Sequence, residues 1–296
     1  SRWKAPFRGN RVDPETSLSF WYNNTNKRGI TLNLESNQGK KLFRRLISRA
    51  DIAVESFPPG YLTELELGYE ELSKINSRLI LASITGFGQD GPYQQYKSCD
   101  LLASAQGGQM YICGAPDAPP LKPYGEQSYY VASLFAAVGI LIALHERNHS
   151  GKGQHIDISM QEAVAATLEH VMVRYFYQNV VSNRQGNIYW NNSYCILGCQ
   201  DGYILLTFDR EWETLVGWLD SEGMAEDLKE EKWYEEEYRR QHLSHILEVL
   251  GRWTMKHTTG ELFELAQLMH FPWAPVSSIG EVLNSPQLKE RNFFVS

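Results

Sequence analysis

Apolar residues in the first half of the chain fall into short runs separated by amphipathic stretches, the rhythm of alternating strands and helices. Ile30-Thr31-Leu32 reads as a strand, a helical pattern follows from Gly39 to Ala50, and Asp51-Ile52-Ala53-Val54 is the next short strand. Ser56-Phe57-Pro58-Pro59-Gly60 breaks the chain, a helix runs on to Ile75, and Leu79 to Ile84 predicts a strand buried on both faces. Tyr129 to Leu144 predicts a buried helix, shorter than the roughly 20 residues that span a bilayer. Gly151-Lys152-Gly153-Gln154 leads into a strand, His155 to Ser159, and a long amphipathic helix, Gln161 to Asn179. Beyond the polar segment Ser182 to Ser193, Ile204 to Thr207 reads as a strand. Trp212 to Leu219, His242 to Lys256 and Gly260 to Met269 read as helices.

The pattern predicts an α/β protein: a doubly wound parallel-sheet large domain over residues 1–182, a linker over 183–193 and a smaller α+β domain over 194–296. Ligands of such sheets sit outside the carboxyl ends of the strands. The turns Ser56 to Gly60 and Thr85-Gly86-Phe87-Gly88 both fall at such ends.

Composition narrows the function classes. With 28 basic against 35 acidic residues and a net charge of −7, nothing points to nucleic-acid binding, and no membrane partner is expected. Cys99, Cys113, Cys195 and Cys199 are too few and scattered for a disulfide framework, so a reducing cytoplasm is the expected location. Cys195 and Cys199 have helical i,i+4 spacing but lack a second ligand pair, so buried thiols are expected and no metal. His242 and His245 read as a solvated helix face. The sequence has no GxSxG, HExxH or GxxxxGK[ST], and Gly86-Phe87-Gly88 reads as a tight turn rather than a dinucleotide loop. Asp100, opening a small-residue segment, is either a nucleophile or a helix N-cap, and the residues alone favour the cap.

Five segments in order resemble the family III CoA-transferases, the group of formyl-CoA transferase, carnitine CoA-transferase and α-methylacyl-CoA racemase. They are Asn26 to Leu32, Val54 to Gly60, Ile84 to Tyr93, Gly151 to Ser159 and Phe271-Pro272-Trp273-Ala274-Pro275-Val276. The resemblance implies that family's interlocked ring dimer, with sites between subunits and domains. It also places the start of this stretch after the family's first strand and helix, which would supply part of the CoA site. Lys27, Arg28, Ser56, Phe57, Gly86 and Phe87 are the CoA-binding candidates it implies.

The family's chemistry uses an aspartate just ahead of the long apolar helix, whose acyl anhydride and then CoA thioester carry the group to a second acid. Counting back from Gly139, that position falls on Tyr129, and a phenol, with an ordinary pKa of about 10, forms no such exchanging anhydride. Two phosphate-binding cations of the family match Glu35 and Glu64 here, each reversal worth about 1 kcal/mol in water and about 4 at an effective dielectric of 20. The racemases' histidine before the central aspartate matches Cys99 ahead of Asp100, which speaks against racemisation.

The leading expectation is therefore a non-catalytic subunit of a two-subunit member of the family, of the type of a benzylsuccinate CoA-transferase. Its partner would be a homologous subunit, or a second copy of itself. Its substrates would be CoA or an acyl-CoA and a small carboxylic acid, with weak or absent CoA binding by this chain alone. Two alternatives stay open: an active transferase using Glu126 or Asp100, and a non-enzymatic acyl-ligand binder.

Overall fold

The computed structural model describes residues 2–189, 194–208 and 211–295. They form two compact units, one of residues 1–107 and 126–167, the other of 108–125 and 168–296. The expected large domain runs to Ser182, whereas the first unit ends at Thr167 and gives residues 108–125 to the second. The reason is a break in the expected long helix: Met160–Ala166 and Glu169–Gln178 are separate helices. The expected linker includes a two-residue strand, and its residues 190–193 lie outside the described residues.

In the first unit the chain forms α1 (Leu18–Asn23), α2 (Asn37–Ile47), β1 (Ile52–Glu55), α3 (Tyr61–Glu64), α4 (Tyr69–Ile75), β2 (Ile80–Thr85), α5 (Asp100–Gln106), α6 (Gln127–Ser150), β3 (His155–Ser159) and α7 (Met160–Ala166). The strands make a parallel sheet in the order β1-β2-β3, with Val54 opposite Ala82 and Ala82 opposite Ile156. Ile30-Thr31-Leu32, expected as a strand, is irregular: a β-branched run becomes a strand only where a neighbour completes its ladder, and no strand pairs with it among the described residues. One face of the sheet packs Ala53 and Leu79 against Ile47 of α2 and Leu72 of α4, and the other carries α6.

Helix α6 departs from expectation. It runs 24 residues and is by length and composition apolar enough to cross a membrane, not the shorter buried helix that the apolar run suggests. The residues it buries are Ser128, Ala132, Ala136, Ala143 and Arg147, one helical stripe of mostly small side chains. Gly139 extends the stripe, and a Cβ there would come within 3.3 Å of the Ile156 side chain on β3. Leu134, Val138, Leu141 and Ile142 point elsewhere and are each more than half exposed. Small residues bring a helix axis close to the sheet, so the bulky ones are left outside.

Arg147 fixes the other end of α6. Its buried guanidinium donates to the carbonyls of Asp51 at 3.2 Å and Arg78 at 3.0 Å, just before β1 and β2, and to the Asp51 carboxylate at 3.0 Å. Gly151 ends the helix in the left-handed conformation, φ 74°. Gly153 then lies so close to β2 that a Cβ would fall 1.8 Å from the Leu79 carbonyl oxygen, which explains the Gly-Lys-Gly turn.

The second unit contains α8 (Glu169–Gln178), β4 (Ile188–Tyr189), β5 (Tyr194–Gly198), β6 (Tyr203–Thr207), α9 (Trp212–Ser221), α10 (Glu236–Gln241), α11 (Leu243–Thr254), α12 (Thr259–Leu268), β7 (Ala274–Pro275), α13 (Ile279–Asn284) and α14 (Pro286–Glu290). Its sheet is antiparallel in the order β4-β5-β6-β7, so the α+β character holds. Pro275 sits on the last strand, where a missing N–H costs no interior ladder bond. Phe271 and Trp273 of the Phe-Pro-Trp motif are buried, and Trp273 stacks on Trp218 with ring centroids 5.7 Å apart. Cys195 lies on β5 rather than on a helix, with Cys199 just after it. Burial pushes these thiols up to about 12 and about 11, the second helped by Asp201.

Replacing Arg147 with Met should lower the unfolding free energy by about 2–3 kcal/mol, because two strand-end carbonyls lose a charged donor. Urea denaturation should show a lower midpoint at an unchanged slope.

Candidate functional site

The carboxyl ends of β1 and β2 and the first turns of α6 enclose a cavity of about 760 Å³. Ser56, Phe57, Pro58 and Pro59 form one wall. In their turn the Phe57 N–H donates to the Glu55 carboxylate at 2.7 Å, and the Phe57 ring rests 5.0 Å from that of Tyr61. A second wall is Ile84, Thr85 and Gly86. A side chain at Gly86 would place its Cβ 2.2 Å from the Ser98 Cβ, so only glycine lets the returning segment pass. The turn beyond is held by the Thr85 hydroxyl, which accepts the Gly88 N–H at 3.0 Å, and by Asp157, which accepts the Gln89 N–H at 2.7 Å. Residues Gln94 to Ser98 close the third side, tied back by the Gln95 side chain donating to the Pro59 carbonyl at 3.3 Å.

Tyr129, in the first turn of α6, lines this cavity together with Ala132 and Ser133, one turn further along the helix. The cavity thus brings together Ser56, Phe57, Gly86 and Tyr129. Phe87 stands beside it in a ring cluster, 6.0 Å from Tyr93 and 6.4 Å from Tyr96. The lining residues include no carboxylate, and Lys97 is the cation among them.

The two carboxylates considered for catalysis lie elsewhere. Glu126 occupies the N-cap position of α6 without capping it through its side chain, and it is ion-paired with Lys4. Asp100 is buried at the start of α5, where its Oδ1 accepts the Ser128 N–H at 2.9 Å and its carbonyl accepts the Ser128 hydroxyl at 3.0 Å. It therefore caps α6 from a neighbouring helix, satisfying one of the donors that a helix start leaves open and placing negative charge at the dipole's positive end.

Lys27, Arg28, Glu35 and Glu64 are exposed and outside the lining. Lys27 donates to the Asn23 carbonyl at 2.7 Å and to the Asn24 side chain at 3.1 Å. Lys97, Tyr96 and Ser98 are lining residues that the motif reading missed. Their one signal is position, directly after the turn that closes the strand-end motif. A separate cavity of about 710 Å³ beside His155, the first residue of β3, is lined by Glu66, Glu70 and Glu71 as well as Arg44, an acidic setting ill suited to a phosphorylated ligand.

A cavity outside the carboxyl ends of a parallel α/β sheet is where ligands of this class of fold bind. The chain belongs to CoA-transferase family III, whose model matches residues 2–296. It is 35% identical over 98% of its length to the BbsE subunit of succinyl-CoA:(R)-benzylsuccinate CoA-transferase from Thauera aromatica, spanning 72% of that protein. It is 30% identical over 95% of its length to the beta subunit of succinyl-CoA–L-malate CoA-transferase from Chloroflexus aurantiacus, spanning 70% of it. Among solved structures, a CAIB/BAIF family protein from Brucella suis aligns with a TM-score of 0.87 at 29% identity, over 99% of this chain and 77% of that one.

If Asp100 serves α6, Asp100→Ala should lower the unfolding free energy by about 1–3 kcal/mol. Asp100→Asn, whose amide oxygen still accepts the Ser128 N–H, should cost less. Urea midpoints of the two variants check the order, and equal losses would show that the bond to Ser128 contributes nothing.

Proposed function

We propose that this chain is a subunit of a CoA-transferase that moves CoA between an acyl-CoA and a carboxylic acid, and that a homologous subunit supplies the nucleophilic aspartate. The observation that carries this reading is the cavity wall: Tyr129 stands in the first turn of α6, and no carboxylate lines the space around it.

The reaction needs a carboxylate at each stage. Attack on the thioester forms a mixed anhydride and expels the CoA thiolate. The thiolate then attacks the enzyme's own carbonyl, giving an enzyme thioester and releasing the first acid. The carboxylate of the incoming acid attacks the enzyme thioester, expelling the CoA thiolate and forming a new mixed anhydride. The thiolate then attacks the substrate carbonyl of that anhydride, giving the new acyl-CoA and regenerating the enzyme carboxylate. Tyr129 would form an aryl ester at the first stage, and the cycle would stop there. In this chain Lys97 is positioned to meet a phosphate, while Phe57 and the Phe87, Tyr93 and Tyr96 rings offer apolar surface to an acyl or aromatic group. The similarity to two succinyl-CoA-dependent subunits supports succinyl-CoA as donor, and the ring cluster supports an aromatic succinate as acceptor.

The exposed bulky face of α6 supports the partner. Leu134, Val138, Leu141 and Ile142 make an apolar stripe that a homologous subunit would cover, as would Val173, Phe176 and Tyr177 of α8 in the second unit. An obligate, interlocked pair of this kind buries more than about 2,000 Å².

Incubation of the chain alone with succinyl-CoA should give no covalent acyl or CoA adduct by intact mass, and CoA transfer should require a second family member with an aspartate at the position of Tyr129. A stable adduct mapped to Glu126 or Asp100 would overturn this assignment.

CoA itself should bind the isolated chain weakly. The double variant Glu35→Lys with Glu64→Arg should tighten binding about tenfold at low salt and less at high salt, as two repulsions become attractions. Calorimetric titration across ionic strength measures this, and tight, salt-independent binding by the unaltered chain contradicts it.

A further inference from the structure

The second unit has a cavity of its own, about 550 Å³, between α8 and the segment Val180 to Tyr189. Its apolar lining is Ile112, Val171, Val180, Val181 and Ile188. Its charged lining is of one sign: Arg174, Arg184 and, when protonated, His170, with no carboxylate among the lining residues. The carboxylate nearest His170 is Glu169, 3.9 Å from its Nδ1 and outside the lining.

The two arginines are held differently. Arg184 is fixed in place, its Nε donating to the Ala115 carbonyl and its Nη1 to the Tyr111 carbonyl, both at 3.2 Å. Those carbonyls orient the guanidinium without neutralising it. Arg174, half-buried on α8, has a guanidinium with no acceptor among the described residues. The Ser182 hydroxyl oxygen, also in the wall, is buried without a hydrogen-bond partner. A partly desolvated cation and a buried hydroxyl left unpaired are each unfavourable until an acceptor arrives. A carboxylate satisfies both at once, and a guanidinium matches its geometry.

We propose that this cavity is a binding site for an organic carboxylate with an apolar body. Arg174, Arg184 and the Ser182 hydroxyl take the carboxylate, and Val171, Val180, Val181 and Ile188 take the apolar part. The site lies wholly within the second unit and requires none of the transfer chemistry proposed above.

Cys113 reports on it, because its thiol is in the cavity wall while Cys99 is exposed in the other unit and Cys195 and Cys199 are buried. The experiment is iodoacetamide labelling of the full chain, resolved cysteine by cysteine by peptide mass, with 3-phenylpropanoate and its uncharged amide as probes. The acid should slow labelling of Cys113 and leave Cys99 unchanged, and the amide should do neither. Arg174→Gln should raise the half-protecting concentration of the acid about tenfold or more, the loss of one charge-assisted bond, and Arg174→Lys should raise it less. Labelling of Cys195 would reveal an unfolded variant, in which case Arg174→Lys and the acid-amide comparison on the unaltered chain decide. Equal protection by acid and amide, no protection by the acid, or an unchanged response in a folded Arg174→Gln variant each overturns the proposal.

Discussion

The contact on which the first unit depends is the close packing of α6 on the parallel sheet. Ala132, Ala136, Gly139 and Ala143 let the helix lie against β2 and β3, and a larger residue at Gly139 would press on Ile156. Each end is then held by a polar clamp, Asp100 on the Ser128 N–H at the start and Arg147 on two strand-end carbonyls at the finish. Because small residues face the sheet, the helix's bulky apolar residues have nowhere to go within this unit. One sequence choice thus sets both the position of the cavity wall and the apolar surface that the helix leaves exposed.

The same geometry separates residues that look alike in sequence. Asp100, Glu126 and Tyr129 all lie near the first turn of α6, yet they have three different surroundings. Asp100 is committed to the helix start, Glu126 to Lys4, and only Tyr129 reaches the cavity. A buried carboxylate that accepts a backbone N–H at a helix start has its negative charge stabilised there, which lowers its nucleophilicity. Of the three, the side chain that reaches the cavity is thus a phenol, which under the function proposed above shapes the pocket rather than carrying an acyl group.

Charge is distributed with comparable consequence. The strand-end cavity has Lys97 as the cation of its lining, and the exposed Glu35 and Glu64 lie outside that lining. The second unit, whose core is built on Trp233, Trp253, Trp273 and Phe271, concentrates two arginines in one partly enclosed space without a carboxylate. In a chain of net charge −7 such a concentration is a local feature, set by which side chains the α8 turn and the Val180 to Tyr189 segment bring together.

The sequence by itself determined the strand-helix alternation, the parallel sheet, the α+β character of the second unit and the family. Those signals are local: Leu79 to Ile84 is apolar but for Ser83, His155 to Ser159 follows a glycine turn, and the two strand-end turns carry Pro58-Pro59-Gly60 and Gly86 with Gly88. It also carries the expectation, by resemblance, that Tyr129 stands at the family's aspartate position. Only the tertiary structure decided that Ile30 to Leu32 has no strand partner among the described residues, that α6 is longer than its apolar run and mostly uncovered, and that the first compact unit ends at Thr167 rather than at Ser182. It alone placed Lys97 and Ser98 in the cavity wall and turned Asp100 into a cap for another helix. Each of these depends on a neighbour distant in sequence, such as a ladder, a packed stripe or a donor 28 residues away, and periodicity along one segment contains no information about that neighbour.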